Sequence, residues 1–233
     1  MNIASVRRRL PGRDIEYFAT LDSTMRAAEG CPEGSVVVAG AQTAGMGRHG
    51  RTWHSELGSG LYCSIVLAPG PPALTLALGL ATAEAIARVA DLACDLRWPN
   101  DVLLGGRKVA GILVQGAVAG IGINVNHTAF PPELAEEATS LRLVTGREHS
   151  REDLLVELIP CVDAFCRMLR EGGVETILEL FTRRSSYACG KRVVVEGFEG
   201  VTAGLDPSGF LRVRGAGGEE RIIVSGGVRA LSS

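Results

Sequence analysis

Residues 97–126 read RWPNDVLLGGRKVAGILVQGAVAGIGINVN, and the reading of this stretch decides the fold. Arg97 to Leu103 and Lys108 to Gln115 are apolar runs on either side of Gly105-Gly106, the signal of a strand hairpin. Val118 to Val125 is a third strand, ending at Asn126. Working outward, Leu74 to Leu92 follows the Pro69–Pro72 break with the alanine content and spacing of a core-packed helix. Val36 to Ala41 and Leu61 to Ala68 fit buried strands, and Ser23 to Glu29 fits a short helix opened by a Ser or Thr cap. Arg151 to Arg170 and Val174 to Arg184 predict two helices separated by Gly172-Gly173. Beyond Cys189, four short strands (Val193 to Val195, Val201 to Leu205, Phe210 to Val213 and Arg221 to Val224) predict a small barrel. The boundary is placed near Tyr187 to Gly190, giving domains 1–187 and 188–233. Arg7-Arg8-Arg9 is expected on a solvated strand or turn.

Bulk properties narrow the class. The 233 residues are 46% hydrophobic and 21% charged, with a net charge of -2, enough for a sizeable core and without the charge bias of a nucleic-acid or anionic-membrane binder. The longest apolar stretch, Ala73 to Ala90, is interrupted by Glu84 and Arg88, and no apolar segment follows the arginines as in a signal peptide. The six cysteines are scattered without a Cys-x-x-Cys, which predicts free thiols in a reducing cytoplasm. The four histidines do not stand at metal-ligand spacing, so no structural zinc is expected.

Between the strands at 36–41 and 61–68 lies Gln42-Thr-Ala-Gly-Met-Gly-Arg-His-Gly-Arg-Thr-Trp53. Gly45, Gly47 and Gly50 permit positive φ and close backbone approach, Arg48 and Arg51 bring planar donors suited to phosphate or carboxylate, and Trp53 offers a stacking face. A mobile basic surface loop is the other reading of the same residues.

Taken together, this loop, Arg97-Trp98-Pro99-Asn100-Asp101, Lys108-Val109-Ala110-Gly111-Ile112-Leu113, Gly120-Ile121-Gly122-Ile123-Asn124 and the earlier Asp22-Ser23-Thr24 resemble the biotin protein ligases, in the family's order. The resemblance implies an α+β fold: a class II synthetase-like catalytic domain with a mixed, largely antiparallel sheet flanked by helices, plus a small C-terminal SH3-like β-barrel. It implies activation of biotin by ATP as biotinyl-5′-AMP, then transfer to a lysine of a biotin carboxyl carrier protein. Asp22-Ser23-Thr24 comes too early for the winged helix-turn-helix that some members carry, so a ligase and not a repressor is expected.

The same resemblance assigns residues. Lys108, Arg48, Arg51 and Asp101 are the catalytic candidates: the cations bring the biotin carboxylate onto the α-phosphate, and Asp101 acts as base or orienter in transfer. Asn100 and Asp101 could instead close a turn after Pro99, and Lys108 alone could be a solvated hairpin lysine. Ser23, Thr24 and Gln42 fit the ureido contacts, though Ser23 and Thr24 also suit helix caps. Gly45, Met46, Gly47, Lys108, Gly111 and Ile112 complete the biotin site. Trp53 is assigned to adenine stacking, Asn124 to the adenine edge, and Asn126 to support of that pocket, with Arg48, Arg51, Asn100 and Lys108 on the phosphates. Mg²⁺ is expected to arrive with ATP, near Asn100, and Trp98 is expected in the core.

Three positions depart from the family pattern. Met46 replaces the first arginine of the loop, Arg97 replaces a lysine, and Met25 replaces a polar residue. Losing the first arginine predicts weaker retention of the adenylate with the chemistry intact. Rival readings are a lipoate or octanoate ligase or transferase of the same fold, and a biotin sensor that does not turn over. Ligases of this family occur as monomers and as dimers, and both stay open here, with an edge strand near Gly120 to Val125 as the candidate interface of a homodimer; a cytoplasmic location is expected.

Overall fold

A computed structural model describes residues 1–231. Seven strands form one mixed sheet: β1 (Ile15–Phe18), β2 (Val36–Ala39), β3 (Gly60–Val66), β4 (Asp95–Arg97), β5 (Asp101–Leu104), β6 (Arg107–Gln115) and β7 (Val118–Asn124). Their order is β1-β2-β3-β7-β6-β5-β4, with β1 and β2 parallel and every other neighbour antiparallel. The α+β, largely antiparallel expectation holds. A second, five-stranded antiparallel sheet contains β8 (Cys189–Val195), β9 (Phe198–Leu205), β10 (Leu211–Arg214), β11 (Glu220–Ile223) and β12 (Arg229–Ala230), in the order β11-β10-β9-β8-β12.

The two faces of the first sheet have different uses. On one face lie the long helices α3 (Ala73–Ala90) and, after the short α4 (Leu141–Thr145), α5 (Arg151–Arg184), which pack on each other over the main core. Helix α3 is long and apolar enough to cross a membrane, yet most of it is buried here, because its leucines and alanines face α5 and the strands together. Alternate residues of the same strands point the other way, as the pleat requires. There Met25, Val37, Val66 and Val118 form a small second core under α2 (Thr24–Ala27), and beside it the face stays open.

Several expectations need correction. Arg97 to Leu103 is not one strand but β4 and β5, broken over Trp98–Asn100, since Pro99 has no N–H to donate to a ladder. The two helices expected from Arg151 onward are found as such: the run Arg151–Arg184 breaks at Gly173, whose φ of 76° and ψ of 175° are not helical. Arg7-Arg8-Arg9 ends a helix, α1 (Ile3–Arg9), capped by the Asn2 side chain; arginine suits the negative end of the helix dipole, and Arg9 pairs with Asp153 there. Strand β7, proposed as an edge, is the central strand, with β3 and β6 on its two sides, so it offers no free edge for a partner.

Trp98 is in the core at 3% exposure, and its indole Nε1 donates to the Gly209 carbonyl at 2.9 Å. With Ser185 Oγ donating to the Leu96 carbonyl at 2.6 Å, this bond ties the second sheet to the β4–β5 corner.

Candidate active site

The open face is floored by a row of paired residues crossing four strands. Asp101 on β5 faces Gly111 on β6, Gly111 faces Gly122 on β7, and Gly122 faces Tyr62 on β3. The adjacent row runs Leu113, Gly120, Ser64. Glycine is required in these rows by what lies on them: a Cβ at Gly122 would stand 2.4 Å from the Trp53 ring, one at Gly111 2.8 Å from both Trp53 and Lys108, and one at Gly120 2.6 Å from the Met25 sulfur.

Lys108 reaches this face through a defect in the ladder. Val102 pairs with Ala110 but Leu103 pairs with Lys108, so β6 carries one extra residue there. Strict alternation would put Lys108 with Ala110 and Ile112 on the core side; the bulge re-aims it onto the Gly111 side. Its ammonium then sits 2.5 Å from Asp101 Oδ1 and 5.2 Å from the centre of the Trp53 ring. Asp101 Oδ2 accepts from Arg97 Nε at 3.2 Å and Nη2 at 2.8 Å. Burial pushes the Asp101 carboxyl up, but Lys108 and Arg97 outweigh it and hold the group below the ordinary carboxylate value. Asp101 is therefore an anion clamped between two cations.

The glycine-rich loop closes over this floor as a tight hairpin, with Gly47 N–H donating to the Arg51 carbonyl at 2.7 Å and Trp53 N–H to the Gly45 carbonyl at 2.9 Å. Its tip needs left-handed backbone at His49 and Gly50, with φ of 55° and 72°. Arg48 folds inward, its Nη1 donating to Asn100 Oδ1 at 3.3 Å and to the Gly226 carbonyl of the second sheet at 3.4 Å. Arg48 is held below its ordinary pKa by burial, partly offset by the Asp101 charge. Arg51 remains exposed.

Two cavities meet under the loop. The first, about 450 Å³, is lined by Thr24, Met25, Gln42, Met46, Gly47, Trp53, Tyr62, Gly111, Ile112, Leu113 and Gly120 to Gly122 among others. The second, about 970 Å³, has more charged side chains around it and lies between Arg48, His49, Arg51, Trp53, His54, Asp101, Asn124, Phe130, Glu137 and Gly226-Gly227. Gly47, Arg48, Trp53, Asn100 and Lys108 border both. At the closed end of the first cavity, Gln42 Oε1 accepts from the Thr24 N–H at 2.8 Å and Thr24 Oγ1 at 3.1 Å, and Ser64 Oγ donates to Thr24 Oγ1 at 2.8 Å. This is a hydrogen-bonded polar cluster beside the apolar side chains Met25, Met46, Ile112 and Leu113 of the same slot.

Most of the residues singled out in the sequence converge here. Three line neither cavity: Gly45, which packs against the Trp53 backbone so that a Cβ would collide with the Trp53 carbonyl at 2.7 Å, Ser23 and Asn126. Ser23 is buried beside Thr24 with its hydroxyl unpartnered, and neither Ser23 nor Thr24 caps α2 through its side chain. Asn126 spends its amide on the backbone of His149, donating to its carbonyl and accepting from its N–H, both at 2.9 Å. Asn124 lines the second cavity while its Nδ2 donates to the Thr139 carbonyl at 3.1 Å. Sequence reading missed Tyr62, Phe130, Glu137 and Gly226-Gly227. Only the small-residue alternation at Gly120 and Gly122 signalled an open sheet face; nothing in the tail signalled that its Gly-Gly turn reaches the cleft.

The profile of the biotin/lipoate A/B protein ligase family matches residues 17–126. The bifunctional ligase/repressor BirA of Bacillus subtilis is 35% identical over 227 residues, covering 86% of this chain and 69% of its own length. The biotin–[acetyl-CoA-carboxylase] ligase of Paracoccus denitrificans is 32% identical, covering 88% of this chain and 96% of its own. Among solved structures, the biotin protein ligase from Aquifex aeolicus in complex with biotin and ATP superposes with a TM-score of 0.86 at 29% identity, over 94% of this chain and 99% of that one.

Proposed function

The chain belongs to the biotin/lipoate A/B protein ligase family, and on that premise we propose that it is a biotin ligase that forms biotinyl-5′-AMP from biotin and ATP and transfers the biotinyl group to a lysine of a biotin carboxyl carrier protein. The observation that carries this reading is Lys108, anchored by Asp101, at the border of a narrow slot that ends in the Thr24–Gln42 cluster and a larger cleft lined by charged side chains. One cavity suits biotin's rings and chain with the ureido group at Thr24 and Gln42; the other suits the nucleotide.

In the first step a biotin carboxylate oxygen bonds to the α-phosphorus while the bond to the pyrophosphate oxygen breaks. No base is needed, because a carboxyl group with a pKa of about 4 is already ionised. The obstacle is repulsion: two unit charges about 4 Å apart cost about 4 kcal/mol at an effective dielectric near 20. Lys108 and Arg48 place cations at the meeting point of the cavities, and Arg51 is free at the loop tip to reach the leaving phosphates. Asn100 donates to the Ile112 carbonyl and accepts from Arg48, and both Asp101 oxygens face cations. These side chains do not form a magnesium cage, and Mg²⁺ belongs with the phosphates it accompanies.

In the second step the carrier amine bonds to the acyl carbon, AMP leaves from it and the amine's proton is released. A lysine with a pKa of about 10.4 costs about 4.6 kcal/mol to neutralise at pH 7. Asp101, held low by two cations, is a poor base; its role is to fix Lys108 and present negative charge towards the incoming ammonium.

Incubation with ATP, biotin and a recombinant carrier domain tests the reading: the carrier should gain one biotinyl mass, a variant lacking the acceptor lysine should gain none, and lipoate should not substitute. Transfer of lipoate in place of biotin would overturn it.

A further inference from the structure

Behind Trp53 the larger cleft ends at a group of side chains that the ligation chemistry does not use. One ring nitrogen each from His54 and His127 and a carboxylate oxygen of Glu56 lie within 4.8 Å of one another. His127, immediately after the end of the sheet strand and Asn126, is completely buried, and its Nδ1 has no hydrogen-bond partner. Its ring stacks on Phe130 at 5.1 Å between centres, and the His54 ring stands 5.9 Å away.

The hydrogen bonds around His127 define its protonation. Tyr62 Oη lies 3.1 Å from the Glu56 carbonyl and 3.2 Å from His127 Nε2. If the phenol donates to the carbonyl, it can only accept from His127, so Nε2 carries the proton and Nδ1 presents a bare lone pair. The opposite arrangement would leave both the Glu56 carbonyl without this donor and a buried Nδ1–H unpaired, which is costlier. A neutral imidazole held through one nitrogen by an oxygen, with the other lone pair free, is the arrangement in which proteins present histidine to a metal.

We propose that His54, Glu56 and His127 bind a divalent transition ion of the zinc class. Two imidazoles and one carboxylate are the donor set of open zinc sites, whereas magnesium and calcium prefer oxygen alone. With metal–nitrogen bonds of about 2.0 Å, ligands on a tetrahedron stand about 3.4 Å apart, so separations of up to 4.8 Å must close by up to about 1.4 Å. His54 is half-buried and Glu56 exposed on the loop after Trp53, and that loop can make the movement. A bound ion would fasten this loop to the segment after β7 and leave a fourth position towards the cleft. The site adjoins the cleft proposed for the nucleotide, which His54 lines, but ion binding there does not depend on that reading.

The test is calorimetric titration of the chelator-stripped full-length protein with ZnCl₂ under reducing conditions, in a Cys31→Ser, Cys189→Ser background that removes the two cysteines not fully buried. The expected result is one equivalent bound, undisturbed by excess Mg²⁺, with affinity falling at least about tenfold in His54→Ala and in Glu56→Gln. Both substituted groups are accessible, so circular dichroism should stay unchanged. Cobalt should give a visible absorption band in the parent protein that His54→Ala loses. No stoichiometric binding, or binding that neither substitution weakens, would overturn the proposal and leave Nδ1 of His127 to a water molecule.

Discussion

At the scale of single residues, the role proposed for Lys108 predicts that its removal separates binding from chemistry. Lys108→Ala is expected to abolish adenylate formation by orders of magnitude while the slot still takes biotin, measured by single-turnover formation of the adenylate beside calorimetric binding. Asp101→Asn leaves Lys108 and Arg97 as neighbouring cations without their anion; the expected cost is about 3 kcal/mol in urea unfolding, because one partner of a buried ion pair has been removed. Met46→Arg restores a cation to the lid and should slow release of the intermediate; an unchanged release rate would contradict the role given to the loop. His127 supplies a pH dependence. Burial lowers its pKa from 6.5 to about 4, so between these values the unfolded chain holds a proton that the folded one does not, and stability falls as pH drops through this range. Between pH 7 and 5 the loss from this group should be about 2 kcal/mol, and His127→Gln should flatten that part of the curve. The chemical identities at Lys108, Arg48, Asp101 and Gln42 were legible because their motifs carry the family resemblance. The pairing of His54 with His127 was not, since their separation in sequence matches no metal-ligand spacing.

Among the elements, the glycine rows of β6 and β7 set the depth of the slot. Gly122→Ala places a methyl where the Trp53 ring lies, at 2.4 Å, and the indole must move or the cleft must open. Biotin affinity is expected to fall at least about tenfold, the equivalent of 1.4 kcal/mol, with the helix and strand content unchanged by circular dichroism. Strand identity here was readable from branched apolar runs, but two features were not. The bulge that turns Lys108 towards the cleft leaves no mark in composition, because any residue can be the extra one in a ladder. The central place of β7 depends on which strands come to lie beside it, and that is fixed by the return of β3 from far upstream. An isolated strand pattern cannot distinguish a centre from an edge. The break between β4 and β5 was signalled by Pro99 and passed over, because the apolar residues flanking it suggested continuity.

In the whole molecule, the second sheet completes the cleft and is held to the first by few polar bonds. Trp98→Phe keeps most of the buried surface and deletes the bond to the Gly209 carbonyl, so a loss of about 1–2 kcal/mol is expected, read from thermal unfolding. Arg48 also touches Gly226 across the same junction, which makes the lid's position sensitive to this contact. The change of texture after Cys189 announced a separate sheet, yet its contribution to the cleft was hidden, since a Gly-Gly turn in a tail looks like any other turn. The central claim is that two cavities meeting at Lys108 join biotin to a nucleotide. Biotin-dependent exchange of labelled pyrophosphate into ATP tests this most directly, with Lys108→Ala and lipoate as controls. Exchange with biotin alone, absent in the variant, is the predicted result; tight biotin binding without exchange would contradict the account and make the protein a sensor of biotin.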